Sequence, residues 1–131
     1  MPRNMSFALT TAQFKARTKT VTRRMGWLHA KAGDIICGVE KSQGLKPGEK
    51  IKRLGMIRLT DVRREPLNEM CADLAYGDDE VKREGFPHMD PTQFVLFFCD
   101  THDCKPDATV TRIAYEYLDK AIIDAILNAD R

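Results

Sequence analysis

The spacing of apolar residues along this chain changes several times, and each change marks an element. From Thr109 to Tyr117 the alternation is strict. Thr111, Ile113, Tyr115 and Tyr117 fall on one side, Arg112 and Glu116 on the other, which predicts a half-buried strand. Ile51 to Arg63 carries a longer extended pattern, with Gly55 placed to bend or bulge it. Asp34 to Glu40 reads as a strand after the turn at Gly33, through Ile35, Ile36 and Val39, and Ser6-Phe7-Ala8-Leu9 reads as a short first strand. Gly44 to Gly48 is a turn.

Helical signals lie between these runs. Thr10 followed by Gln13 has the spacing of a capping box and predicts a short helix ending near Arg17. Pro66 opens a short segment that Gly77 closes. Asp78 to Glu84 forms another helix, stopped by Gly85 just beyond its end. Asp90-Pro91-Thr92-Gln93 combines a capping Asp, a first-turn Pro and a reciprocal Gln, and starts a helix with Phe94, Phe97 and Phe98 on one face. Asp119 to Asn128 predicts an amphipathic terminal helix through Ile122, Ile123, Ile126 and Leu127. Thr18 to Arg24 has no helical period and reads as a loop or irregular strand. Strands interleaved with short helices predict an α+β fold, a small β-barrel with helices on its flank.

Composition narrows the class. The 131 residues suit one domain, and 43% apolar with 31% charged residues exclude collagen-like and disordered chains. The longest apolar run, Phe94 to Cys99, is far short of the roughly 20 residues a membrane helix needs, so no membrane association is expected. Met1 to Met5 lead into no apolar stretch of a secretory signal. The four cysteines, Cys37, Cys71, Cys99 and Cys104, are then expected to be reduced thiols of a cytoplasmic protein. Cys99, His102 and Cys104 resemble half of a metal site, but no second ligand pair accompanies them, and no metal is expected.

Net charge hides a polarity. The total is +2, yet residues 1–64 hold 15 Lys/Arg against 4 Asp/Glu, net +11, and residues 65–131 hold 6 against 15, net −9. A basic surface built from the first half would suit a polyanion such as RNA or DNA. The plainer alternative is that the halves neutralise each other across the fold.

The densest chemistry is Lys19-Thr20-Val21-Thr22-Arg23-Arg24. On an extended segment Lys19, Val21 and Arg23 share one face, and Thr20, Thr22 and Arg24 the other. Arginine forks suit phosphate or carboxylate, and a buried Lys can act as a base. A solvated basic loop is the alternative. Glu84, at a helix C-terminus before Phe86-Pro87, opposes the helix dipole, which suits an acid/base role; an ordinary surface Glu is the alternative. Trp27 is the single tryptophan and either stacks on a base or serves the core. No P-loop, dinucleotide or nucleophile-elbow motif is present.

These residues resemble the ASCH family. Lys19, Thr22 and Arg24 match the Lys, Thr and Arg of its Gly-x-Lys-x-x-Thr-x-Arg signature, and Gly33-Asp34, Glu84-Gly85-Phe86 and Phe94 extend the similarity over roughly residues 6 to 117. Arg17 stands where the signature has Gly, so the helix exit is expected to differ. Residues 118–131 look like an added helix on a single domain. The resemblance implies a PUA-like β-barrel, a nucleoside or RNA ligand in a cleft beside it, and a setting that includes phage genomes. Some small bacterial members are N4-acetylcytidine amidohydrolases, whose catalytic residues fall on Lys19, Thr22 and Glu84. Others bind RNA or are ribonucleases. The expected activity is therefore metal-independent hydrolysis of an N4-acylated cytidine, with no cofactor and no obligatory protein partner. Arg23, Arg24, Trp27 and Arg17 would contact substrate or RNA. The alternatives are a non-catalytic RNA-binding module and a ribonuclease using Lys19 and Glu84.

Overall fold

The computed structural model describes residues 2–41 and 44–129. Five strands form one mixed sheet: β1 (Arg3–Ser6), β2 (Val21–Arg24), β3 (Ile35–Val39), β4 (Arg53–Pro66) and β5 (Thr109–Leu118). Their order in space is β1-β3-β4-β5-β2; β1 runs parallel to β3 and the other neighbours are antiparallel. The sheet curls into a half-barrel with five helices: α1 (Thr11–Lys15), α2 (Glu69–Ala72), α3 (Leu74–Arg83), α4 (Pro91–His102) and α5 (Lys120–Ala129). This is the small barrel-like α+β architecture that the element pattern implies.

Curvature comes from irregular pairing in the two long strands. Register slips where Gly38 faces Gly55 and Val39 faces Arg53, and again on β4 between Leu59 and Asp61. An extra residue at such points bends the strand and increases its twist. The Gly38–Gly55 pair also leaves room for Phe14: a Cβ on Gly38 would lie 2.4 Å from the Phe14 ring. One apolar core fills the curl, with Met5, Phe7, Phe14, Ile36, Ile57, Leu59, Ile113 and Tyr115. A second, with Leu67, Met70, Val81, Phe94, Val95, Phe98 and Val110, joins the start of β5 to α2, α3 and α4.

Several local expectations change. The first strand is Arg3–Ser6, not residues 6–9; Phe7 to Thr10 leave the sheet as the loop into α1. The Thr10–Gln13 capping box does not form. Thr10 makes no side-chain cap; Thr11 Oγ1 donates to the Phe7 carbonyl, and Gln13 Nε2 reaches the Gly85 carbonyl instead. Gly77 does not end a segment. It lies inside α3, where a Cβ would sit 2.0 Å from the Met70 carbonyl oxygen, so its role is the close crossing of α2. The stretch after Thr20 is regular strand, because β5 supplies its ladder partners. β5 is buried on both faces rather than one, since α3 covers the face that carries Arg112. The capping box at Asp90 and Gln93 forms as expected, and Gly85 (φ +99°) turns the chain off α3. The side chains of Ile126 and Leu127, part of the apolar face expected of α5, lie outside the described residues.

Candidate active site

Segment 18–20 is fixed before it enters β2. Thr20 N–H donates to the Arg83 carbonyl at 2.8 Å, its own carbonyl accepts from Tyr115 N–H at 3.0 Å, and the Tyr117 hydroxyl donates to the Lys19 carbonyl. The chain is therefore clamped between β5 and the C-terminal end of α3. Helix ends leave carbonyls without intrahelical partners. Lys19 Nζ answers one of them, donating to the Glu84 carbonyl at 2.7 Å and to Glu84 Oε1 at 2.8 Å. A cation at a helix C-terminus also complements the dipole, and this offsets the unfavourable position of the Glu84 carboxylate. Cations, rather than the apolar Phe86-Pro87 turn, set the surroundings of that group.

β2 alternation then places the rest. Arg23, on the same face as Lys19, is fully buried. It reaches Glu84 Oε2 at 3.0 Å, Glu80 Oε1 at 2.6 Å, Glu65 Oε2 at 3.3 Å and the Tyr76 hydroxyl at 3.1 Å. Arg112 on β5 completes the cluster with Nε and Nη2 on the two Glu80 oxygens, at 2.6 and 3.0 Å. Thr22 and Arg24 share the other face, and Arg24 Nε donates to Thr22 Oγ1 at 3.0 Å.

Burial acts on each group differently. For Lys19, loss of water lowers the pKa below the usual lysine value, and Glu84 only partly opposes this. For Glu80, burial alone would raise the pKa; the bonds from Arg112 and Arg23 outweigh it and hold the group down to about 2. Arg23 is disfavoured by burial, but its carboxylates raise its pKa above the usual arginine value. Arg24 is lowered to about 10, chiefly by burial, with Glu84 the strongest opposing charge.

Part of this cluster lines a cavity of about 240 Å³, which Glu65, Tyr76, Glu80 and Arg112 do not reach. Lys19, Thr22, Arg23, Arg24 and Glu84 form its charged side. Ser6 at the end of β1 and the β1–α1 loop, Phe7 to Thr10, form a rim. Phe86 with Phe94, Phe97, Phe98 and His102 of α4 forms an aromatic side. His102 stacks on Phe98 at 4.0 Å between centroids, and its Nδ1 lies 3.1 Å from the Phe98 carbonyl. The cavity thus has the apolar lining with a few convergent polar groups expected of a small-molecule site.

The sequence-derived site residues divide. Lys19, Thr22 and Glu84 meet in this cavity, with Arg23 and Arg24. Arg17 and Trp27 do not line it. Arg17 is exposed, its guanidinium 5.5 Å from the Tyr117 ring centroid. It adopts φ +59° after α1, the left-handed conformation glycine takes most easily, so the helix exit uses a glycine-type backbone carried by Arg. Trp27 packs against the barrel core beneath Arg3, at 4.7 Å, and borders a separate open hollow with Asn4, Leu28 and His29. Cys99 and Cys104 place their Sγ atoms 4.0 Å apart; among the described residues no three potential ligands cluster to hold a metal.

No family model matches this chain, and no curated protein matches it. Solved structures do. Protein EF3133 from Enterococcus faecalis V583, of the family DUF984, superposes with a TM-score of 0.59 at 18% identity, over 91% of this chain and 81% of its own. Hypothetical protein PH0355 superposes with a TM-score of 0.60 at 15% identity, over 90% of this chain and 100% of its own. At these identities the likeness is one of fold.

Sequence reading missed Glu65, Tyr76, Glu80 and Arg112. A signal was present for Glu80: it precedes Glu84 by four residues on one helix, so the two carboxylates share a face. Arg112 lay on the polar side of an alternating strand, where solvent rather than Glu80 was the expected neighbour.

Proposed function

We propose that this chain is a PUA-like protein of the ASCH type that hydrolyses the amide of an N4-acylated cytidine. The observation that carries the reading is the contact of the buried Lys19 ammonium with Glu84, 65 residues away in sequence, inside a cavity that also holds Thr22 and an aromatic wall. Burial lowers the Lys19 pKa against the opposing pull of Glu84, which supports Lys19 as the group that exchanges a proton with the substrate. In the proposed reaction Thr22 Oγ attacks the acyl carbon as Lys19 takes the hydroxyl proton. The C–N4 bond then breaks, and Lys19 returns the proton to the leaving nitrogen. Water releases the acyl group from Thr22 as a carboxylic acid. Glu84 holds Lys19 in place and meets the cytosine edge. The aromatic side receives the pyrimidine ring.

The test is incubation with N4-acetylcytidine and chromatography for cytidine. Lys19→Ala, Thr22→Ala and Glu84→Gln are each expected to reduce turnover by about a hundredfold or more, the usual contribution of a positioned acid or base. Circular dichroism should show the fold intact, and full activity in Glu84→Gln would remove the assignment.

A non-catalytic RNA-binding module is the second reading. Lys46, Lys50 and Lys52, exposed between β3 and β4 and without an ion pair among the described residues, favour it. Salt-dependent RNA retention without cytidine release would select this module.

A further inference from the structure

The charges around the cavity do not cancel. Lys19, Arg23 and Arg112 face Glu65, Glu80 and Glu84, three cations against three carboxylates joined by contacts of 2.6 to 3.3 Å. Arg63 also reaches Glu65 at 2.9 Å and Arg83 reaches Glu80 at 3.6 Å, so every one of these carboxylates is already held by cations of the cluster. Arg24 stands outside it. Its Nε is committed to Thr22 Oγ1 at 3.0 Å, and its guanidinium carbon lies 4.9 Å from the Phe7 ring centroid. Among the described residues its two Nη atoms have no hydrogen-bond acceptor and no ion-pair partner. The side chain is half-buried in the cavity lining, so the charge is neither fully hydrated nor paired. Those Nη atoms keep access to solvent at the cavity, and a planar fork with free Nη atoms fits two oxygens of one anion.

We propose that Arg24 receives a phosphate carried by the ligand of this cavity, so that the preferred ligand is a nucleotide rather than a neutral nucleoside. The inference rests on the preceding reading for the pyrimidine base, but not for the hydrolysis. Different parts of the cavity lining then divide the ligand. Phe86, Phe94 and Phe97 take its flat apolar part, and Arg24 takes its anionic end. Anion binding would also oppose the depression that burial imposes on the Arg24 pKa. The phosphate has two possible sources, a free nucleotide or an RNA strand.

The experiment compares binding of cytidine, cytidine 5′-monophosphate and a short cytidine-containing RNA by calorimetry, alongside turnover of N4-acetylcytidine and its 5′-monophosphate. The wild-type protein is expected to bind the monophosphate about tenfold or more tightly than cytidine, roughly 1.4 kcal/mol. Arg24→Gln is expected to bring that ratio near one, with Arg24→Lys intermediate. An Arg24-dependent gain for RNA but not for the monophosphate assigns the phosphate to a strand. Equal wild-type binding of cytidine, monophosphate and RNA overturns the proposal, and this comparison needs no variant to fold. A ratio unchanged in Arg24→Gln also overturns it. So does an equal loss of turnover on both substrates with unchanged binding, the pattern of an oxyanion-stabilising role. A monophosphate preference without any turnover leaves the anion site standing and removes the amidohydrolase.

Discussion

Glu80 is 1% exposed and takes three guanidinium hydrogen bonds, from Arg23 and from two nitrogens of Arg112. Breaking a buried ion cluster on one side leaves charges that water cannot reach, at a cost of about 3–5 kcal/mol. Glu80→Gln is expected to destabilise the fold by that order at neutral pH, measured by urea unfolding. The sign with pH follows from the carboxyl being held at about 2 against an ordinary 4.5. A depressed carboxylate stabilises the native state above its unfolded pKa, and that contribution disappears as pH falls from about 4.5 to 2. The difference corresponds to about 3 kcal/mol. The wild-type protein should therefore lose stability steeply over this interval, and Glu80→Gln should lose distinctly less. Parallel curves for the two proteins would contradict the pairing. At this scale the sequence displayed Lys19, Thr22, Arg24 and Glu84 as candidates because their types are chemically pointed. It did not display Arg112 or Glu65, whose types are ordinary on strands and whose importance comes only from what faces them.

Among elements, α3 shows how a local rule yields to packing. Glycine inside a helix costs roughly 1 kcal/mol relative to alanine, so propensity alone favours Gly77→Ala. The Met70 carbonyl occupies the space a Cβ would need, with Pro91 Cγ only 2.7 Å from it. The backbones of α2 and α3 would have to separate, and overpacking of this kind costs about 1–3 kcal/mol. Gly77→Ala should thus lower the melting temperature, whereas a rise would mean that this crossing is loose. Because α3 carries Glu80 and ends at Glu84, the same shift should weaken any activity of the cavity. Elements whose signals are local were legible: the Asp90–Gln93 capping box, the Gly85 stop, the long extended pattern of β4 and the alternation of β5. The first strand and the Thr10 cap were not, because Phe7 serves the core from a loop and Gln13 bonds across to Gly85.

Over the whole molecule, part of the polarity of the two halves is used inside the fold, while most Lys and Arg of the first half stay exposed. Lys19 and Arg23 of the basic half bury against Glu80 and Glu84 of the acidic half, and Arg58 pairs with Glu116 on the surface. Buried pairs are screened little by salt, since the Debye length matters only where ions and water reach. Raising salt from about 0.1 to about 1 M should move the thermal midpoint only slightly. A large drop would place the stabilising charges on the surface instead. The sequence by itself determined the fold class, most of the elements and the chemical kinds gathered at Lys19 to Arg24, since periodicity, capping and residue type act over a few neighbouring positions. Tertiary structure alone decided that Lys19 meets Glu84, that β1 lies parallel to β3, and that Arg24 lines the cavity with no carboxylate partner among the described residues. Those outcomes depend on which distant segments exclude water together, and that competition is settled by packing of the entire chain.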